Sequence, residues 1–342
     1  MDISKTRMTE KVKIAQAGVG NHGRTIRSAV AKAKNLQLVG CYDVDQEESR
    51  KVAEEFQCRA ARSFEDLIED PDVEGVLLVT PNHLHFSQVM AAFSKGKHVF
   101  VEKPITATVD EGLKVVNKAE ELGLTLEVGH NTRRRRPVRK TKTLIEDGRL
   151  GTLIGVEANV SHNAGLTTTY PKWKAERDKC PLLPMTQLGI HYIDAFHYLV
   201  GPIARLQCFA RHAAMEGDVL DSTAALFQFE SGVIGTLSSH YVIPAVFEIR
   251  VSGTEGVVSM SDYSLRLEID KGGKQSRERF DFSDEGLESF IFELEEFGDC
   301  IRTGRKSETD GVVGLKALAV VEAMTVSVET GRVVTLSEIL KS

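Results

Sequence analysis

The chain is short of the features that would point to several common protein classes. Only five of its 342 residues are cysteines (Cys41, Cys58, Cys180, Cys208 and Cys300), and no two of them form a C-x-x-C pair. An odd, scattered count fits a reducing cytoplasm and has no zinc-ligand spacing, so no metal is expected. No apolar run approaches the 18 or so residues that a membrane-spanning helix needs. The opening MDISKTRMTEKVK is polar and holds no apolar segment of the signal-peptide kind. Positive charge is not in excess: 43 Lys+Arg against 49 Asp+Glu leave a net charge of −6, which gives no bulk attraction to nucleic acid or anionic membrane. Internal repeats and low-complexity tracts are missing too. What is present is an ordinary globular composition, 42% apolar and 27% charged, in a chain long enough for two separate cores. The expected location is the cytoplasm.

The first third alternates short strand-like runs with helical patterns. VKIAQAG (12–18), LQLVGCYD (36–43), GVLLVT (75–80), HVFVEK (98–103) and TLEVGH (125–130) read as strands, with helices over 22–34, 45–56, 83–95 and 108–122 between them. Several of these strands are apolar at nearly every position, as in a parallel sheet covered on both faces by helical crossovers. After about residue 130 the rhythm changes. A helix over 137–147 ends at Gly148, and long alternating strands follow at 203–212, 222–230, 233–242, 246–253, 256–261 and 264–270. Helical patterns over 285–303 and 312–330 close the chain. The expected organisation is an α/β domain over 11–130, then an α+β domain over 131–342 with a large, mostly antiparallel open sheet. The second face of such a sheet needs cover, and assembly into a homodimer or homotetramer would supply it.

The first strand runs into 18-GVGNHG-23, a G-x-G-x-x-G that also contains Asn21 and His22. Gly18 permits a tight turn, Gly20 lets the backbone approach a pyrophosphate, and Gly23 lets the helix pack closely on the strand. The helix N-terminus then offers N–H groups to the phosphates. Alone the motif is weak. Here it follows a strand, opens a helix and precedes Asp43, twenty residues beyond Gly23 at the end of the second strand. That context makes 11–130 a Rossmann dinucleotide-binding domain. Asp43 is placed to accept a hydrogen bond from a ribose 2′-hydroxyl and to repel a 2′-phosphate, which favours NAD over NADP. The competing reading is that Asp43 caps the helix at 45–56, a task that Asp45 is equally placed to perform.

Two further stretches are more specific: 80-TPNHLHFSQVMAAFSKGKHVFVEKP-104 and 189-GIHYIDAFHYLVG-201. With the glycine loop, in this order and spacing, they closely resemble the glucose–fructose oxidoreductase / inositol dehydrogenase / MocA family. The resemblance runs from Val12 to about Leu336. It implies a Rossmann domain joined to an α+β domain, and a hydride moved between nicotinamide and a secondary alcohol of a sugar, sugar acid or cyclitol. Lys103 lies just past a parallel strand, at the end where open α/β sheets place ligands. A lysine there can hydrogen-bond a substrate oxygen and shuttle a proton, helped by a pKa lowered through burial or a neighbouring cation. Glu102 is expected near the cofactor ribose or nicotinamide, as is its family counterpart. Thr80, Pro81 and Asn82 end the preceding strand and line the nicotinamide region. His85 has two readings, a cofactor-side residue or a structural histidine.

The stretch 181-PLLPMTQLGIHYIDAFHYLVG-201 poses its own question. Read as a helix, it puts Gln187, His191, Asp194 and Tyr198 on one face, where a core stripe would normally stand. The resemblance implies that this face meets the substrate beside the nicotinamide. The family's common pattern is D-x-G-x-H-x-x-D, and this chain keeps Gly189, His191 and Asp194 but carries Gln187 at the first acid. His191 is therefore the expected acid/base partner of Lys103. Asp194 orients His191, binds a substrate hydroxyl or makes a structural hydrogen bond; His197, off this face, reads as structural. Gln187 cannot ionise but can still hydrogen-bond a polyol.

The remaining signals are weaker. The run 133-RRRR-136 reads first as a solvated helix start and second as a contact, through Arg134, to a substrate carboxylate or phosphate. With no interleaved aromatics it does not suggest nucleic acid. Trp173 either stacks on a sugar face or packs, and Asn163 and Tyr170 stand nearby without a rank. The leading expectation is an NAD-dependent dehydrogenase. Its rivals are an NAD-dependent glycosidase or lyase working through transient oxidation, and a non-catalytic, dinucleotide-regulated sugar-binding protein.

Overall fold

The computed structural model describes residues 10–167, 172–177, 179–282 and 286–341. It divides into two compact units, one made of residues 1–131 with 286–316, the other of 132–285 with 317–342. The segment 286–316 departs from the expected layout, which assigned the whole of 131–342 to the second domain. The reason is packing. Leu294 and Phe297, on the helix Glu288–Thr303, are fully buried in one cluster with Ile14, Ile26, Leu36 and Phe100. On the same helix Arg302 grips the Glu74 carboxylate with both terminal nitrogens, at 2.5 and 2.9 Å. An amphipathic helix goes where its apolar face is buried, whatever its place in the chain.

The first unit is a six-stranded parallel sheet. Its strands are β1 (Val12–Ala17), β2 (Leu36–Tyr42), β3 (Arg59–Ala60), β4 (Gly75–Leu78), β5 (His98–Glu102) and β6 (Leu126–Gly129). They run in the order β3-β2-β1-β4-β5-β6, all parallel. The order reverses between β1 and β4, which opens a crevice at the carboxyl ends of these strands. Strands β4 and β6 are buried at every position, as a sheet covered on both faces requires.

The second unit is a nine-stranded sheet of β7 (Leu153–Ser161), β8 (Ile203–Arg211), β9 (Ser222–Phe229), β10 (Ile234–His240), β11 (Val246–Gly253), β12 (Gly256–Ser261), β13 (Ser264–Lys271), β14 (Lys274–Asp281) and β15 (Val334–Thr335). The order is β14-β13-β12-β11-β7-β10-β9-β8-β15, and β7 with β10 is the one parallel pair in it. Strand β14 was not anticipated, because KQSRERFD has no apolar alternation; both its faces are largely solvated. The inner face is covered partly by the helix Ile190–Leu199, whose Phe196 meets Phe227 and Phe229 edge to face. The outer face is not the apolar surface that the alternation suggested. Phe209, Leu226 and Ile234 are exposed on β8–β10, but Glu157, Glu248, Arg250 and Arg266 take the corresponding outward positions on β7, β11 and β13.

By length and composition the helix Gly311–Thr330 could cross a membrane, which the search for unbroken apolar runs passed over. Ala317, Val320, Ala323 and Met324 on it are fully buried in the protein, as in a core helix.

Candidate active site

The glycine loop is built as its sequence requires. Gly18 has φ +89°, and a Cβ there would stand 2.2 Å from Val79 O. A Cβ on Gly23 would stand 2.3 Å from Gly18 O, so the helix Asn21–Lys32 sits hard against the turn. At Gly20 a Cβ would meet nothing within 4 Å, and the backbone there is open to a ligand. Two buried side chains that the sequence reading overlooked brace this loop from beneath. Gln16 Nε2 donates to Gly18 O at 2.8 Å and Gly23 O at 3.0 Å. Arg27 Nη1 donates to Val19 O at 2.8 Å. The signal for Gln16 was available: an amide in the middle of an apolar strand, two residues before the first glycine, must find partners when buried.

Asp43 lies beside the same loop. Its Oδ2 accepts from Val19 N at 2.8 Å and its Oδ1 from Asp45 N at 3.1 Å. The helix Gln46–Phe56 is capped by Asp45, whose Oδ1 accepts from Glu47 N and Glu48 N. The capping reading of Asp43 is thereby removed, and its carboxylate stands at the corner where the loop leaves β1.

The exits of β4 and β5 carry the next group. Asn82 is 5% exposed, and its Nδ2 has no hydrogen-bond partner among the described residues, which leaves a donor for a ligand in this region. Glu102 ends β5. Its Oε1 lies 2.8 Å from Nε2 of His22, a member of the glycine loop, and its Oε2 accepts from Lys103 N at 3.2 Å. Burial pushes the Glu102 pKa up, but His22, by charge and hydrogen bond, and then Lys103 hold it below the ordinary glutamate value. The Gly129 backbone lies so close that a Cβ there would be 3.0 Å from this carboxyl. Lys103 itself is half-buried and leads into a cis peptide bond with Pro104. His85 is fully buried, with Nδ1 2.7 Å from Pro104 O and Nε2 2.9 Å from Thr80 O. Both ring nitrogens thus face backbone oxygens, which favours the structural of its two readings.

In the second unit the helix face is rearranged. The chain enters through a π turn, Met185–Gly189, before the α-helix Ile190–Leu199. A π turn holds an extra residue, so Gln187 and His191 do not stack as an i,i+4 pair would. Gln187 is buried, with Nε2 3.8 Å from Cys180 Sγ, and His191 is half-buried. Asp194 has no exposed surface, which favours the structural one of its readings. Its carboxylate accepts from Arg133 at both oxygens, Nε to Oδ2 at 2.9 Å and Nη2 to Oδ1. The arginine run is likewise no solvated helix start, since Arg133 and Arg134 are 6% and 3% exposed. The physical reason is the pair itself: a guanidinium and a carboxylate can be buried together in bidentate geometry but not separately. Tyr198 is enclosed by cations, with Arg133, Arg139 and Lys142 at 5.3, 5.1 and 5.5 Å from its ring centre, and its hydroxyl accepts from Arg139 Nη1 at 2.8 Å. Trp173 is half-buried with Lys174 Nζ 5.5 Å from its ring centre, and burial draws the Lys174 pKa down. Tyr170 lies outside the described residues.

A doubly wound parallel sheet, a glycine loop at its switch point and an acid at the end of the second strand define a class, that of dinucleotide-binding proteins with a Rossmann unit. Comparison with known proteins narrows it. Residues 12–130 match the model of the oxidoreductase family with an NAD-binding Rossmann fold, and residues 138–259 match the GFO/IDH/MocA C-terminal domain. The chain belongs to this Gfo/Idh/MocA oxidoreductase family. It is 29% identical over 188 residues to glucose-6-phosphate 3-dehydrogenase of Bacillus subtilis strain 168, a match spanning 55% of this chain and 53% of that protein. It is 27% identical over 329 residues to the scyllo-inositol 2-dehydrogenase (NAD(+)) of the same organism, covering 90% of this chain and 92% of the relative. An oxidoreductase of known structure from Desulfitobacterium hafniense DCB-2, proposed to use NADPH, superposes with a TM-score of 0.91 at 30% identity, over 97% of this chain and 99% of that one.

Proposed function

We propose that the protein is an NAD-dependent dehydrogenase of a secondary alcohol on a sugar, sugar acid or cyclitol. The observation that carries this reading is the exit of β5, where a half-buried Lys103 follows a buried Glu102 that is paired with the glycine loop. A lysine at this strand end stands beside the end of the sheet where open α/β folds bind their ligands. The names of the two dehydrogenase relatives support a polyol or sugar phosphate as substrate.

Each residue then has a task. Gly18, Gly20 and Gly23, with Asn21 at the helix start, receive the pyrophosphate. Asp43 accepts from the adenosine ribose and disfavours a 2′-phosphate. Asn82 offers its amide donor toward the nicotinamide. Bound NAD supplies a hydride acceptor at C4 of its nicotinamide. Lys103 takes the proton of the substrate hydroxyl as the C–H bond breaks, and in the reverse direction returns the proton to a forming alkoxide. Gln187, with no charge to give, contributes hydrogen bonds only. The exposed apolar side chains of β8–β10 support a homo-oligomer that covers part of the outer sheet face.

The test is a panel of inositols, sugars, sugar acids and sugar phosphates followed by NADH absorbance, with NAD and NADP compared. Turnover of one of these with NAD, and a fall of about 10²–10⁴ in kcat for Lys103→Met at little-changed NAD affinity, is the expected result. Tight NAD binding without turnover across the panel would replace this reading with a non-catalytic one.

A further inference from the structure

We propose that His85 is a positioning residue for Lys103, its ring fastening the exits of β4 and β5 to each other so that the Lys103 Cα is held in one place. The inference rests on the reading of Lys103 as the proton-transfer residue.

The geometry is specific. Thr80 follows β4 and Pro104 follows β5, two neighbouring parallel strands that pair Leu78 with Val101. Beyond that pair no sheet ladder ties the two exits among the described residues. His85 lies between them instead, 2.7 Å from Pro104 O and 2.9 Å from Thr80 O, with no exposed surface. The same helix, His85–Ser94, takes hold of Thr80 a second time, through its hydroxyl, which is 2.5 Å from Gln88 Oε1. Residues three apart share a helix face, so the first turn of this helix grips the β4 exit with two side chains. On its other side Lys103 is fixed through its own N–H, which donates to Glu102. A lysine side chain is long and flexible, and the precision of its amine depends on how firmly its backbone is held. A misplacement of about 1 Å at a reacting group can cost roughly 10²-fold in rate.

The charged groups that face the ring are Glu102 and Lys103, with His22 beyond as the partner of Glu102. Burial draws the His85 pKa below the ordinary histidine value, against the pull of the two carbonyls and Glu102. In its neutral form the ring has one N–H and donates to one of the two carbonyls, meeting the other by packing alone. It acts by hydrogen bonding and shape rather than as a cation.

The experiment compares His85→Phe, which fills the space without a donor, with His85→Gln, which keeps one. Probe substrates are scyllo-inositol, myo-inositol and glucose 6-phosphate with NAD. For His85→Phe the expected result is a kcat lowered about 10- to 100-fold with KM values changed by less than about threefold. His85→Gln should recover most of the loss. In a Lys103→Met background His85→Phe should cause no further loss, since the ring acts through that lysine. An additive loss there would overturn the inference while leaving Lys103 in its role, whereas normal turnover of Lys103→Met alone would sink the underlying reading and the inference with it. A pH–rate limb displaced by about one unit or more in His85→Gln would show a charge effect and also overturn it. Independently of turnover, hydrogen exchange at the amides of Lys103, Ile105 and Thr106 should quicken at least about tenfold in His85→Phe, or in His85→Gln to a smaller degree if the former does not fold. Unchanged exchange in a folded variant refutes the clamp.

Discussion

The two units put their buried charges to different uses. In the parallel unit two buried titratable groups stand where strands end: Glu102 at the exit of β5 with His22 of the glycine loop against it, and His85 between two strand exits. In the second unit the deepest pair, Arg133 with Asp194, ties the segment before one helix to the middle of another. The first arrangement surrounds a place where ligands bind open α/β sheets. The second holds elements together. A buried charge is thus a pointer to chemistry only when its surroundings leave something for a ligand to meet.

The strongest way to break that contrast is to remove one partner of the second-unit pair. Asp194→Ala leaves the Arg133 guanidinium buried without its carboxylate, which costs about 3–5 kcal/mol. Urea unfolding should show this loss, and calorimetric NAD affinity should stay near that of the parent. If stability falls by less than about 1 kcal/mol while turnover collapses, Asp194 belongs to the chemistry after all.

A weaker effect, on binding rather than stability, is expected in the first unit. Asp43→Ala should cost NAD about 1.5–3 kcal/mol, the worth of a hydrogen bond to a charged acceptor, and should narrow or reverse the preference over NADP. Unfolding should change less than binding. Equal NAD and NADP affinities in the parent, unaltered in the variant, would remove Asp43 from the ribose site.

The smallest effect is the dependence of stability on pH. His85 has a pKa lowered by burial, so the unfolded chain takes up its proton first as pH falls. The contribution is therefore present above the unfolded value of about 6.5 and is lost as pH drops below it, by at most about 1.4 kcal/mol per unit. Glu102, also lowered, adds a loss of the same sign that starts below the unfolded glutamate value of about 4.3. Between pH 6.5 and 5 the slope of stability should be shallower in His85→Gln than in the parent. Parallel slopes would mean that the ring is not held neutral by burial.

Much of the first unit was legible residue by residue. Glycine at 18, 20 and 23 is a statement about local backbone, and an apolar run such as GVLL is a statement about a strand buried on both faces; neither depends on what lies far away in the chain. The acid at 43 and the lysine at 103 follow from strand ends, and strand ends follow from the same local patterns. The second unit yielded less. An i,i+4 reading of Gln187 and His191 assumes an unbroken α-helix, and the π turn at Met185–Gly189 removes that assumption.

What the sequence by itself determined is the set of things that local sterics and periodicity decide: the parallel α/β order, the glycine loop, the strand exits that carry Asp43 and Glu102–Lys103–Pro104, and the family. Tertiary structure alone decided which polar side chains are consumed by other polar side chains. Arg133 meets Asp194 across 61 positions, Gln16 finds its two carbonyls under the glycine loop, and the helix Glu288–Thr303 joins the first unit. A run of arginines and a lone buried glutamine have no period to read. Their roles come from partners brought close by folding, and the cost of burying a charge or an amide without one is what makes those partners necessary.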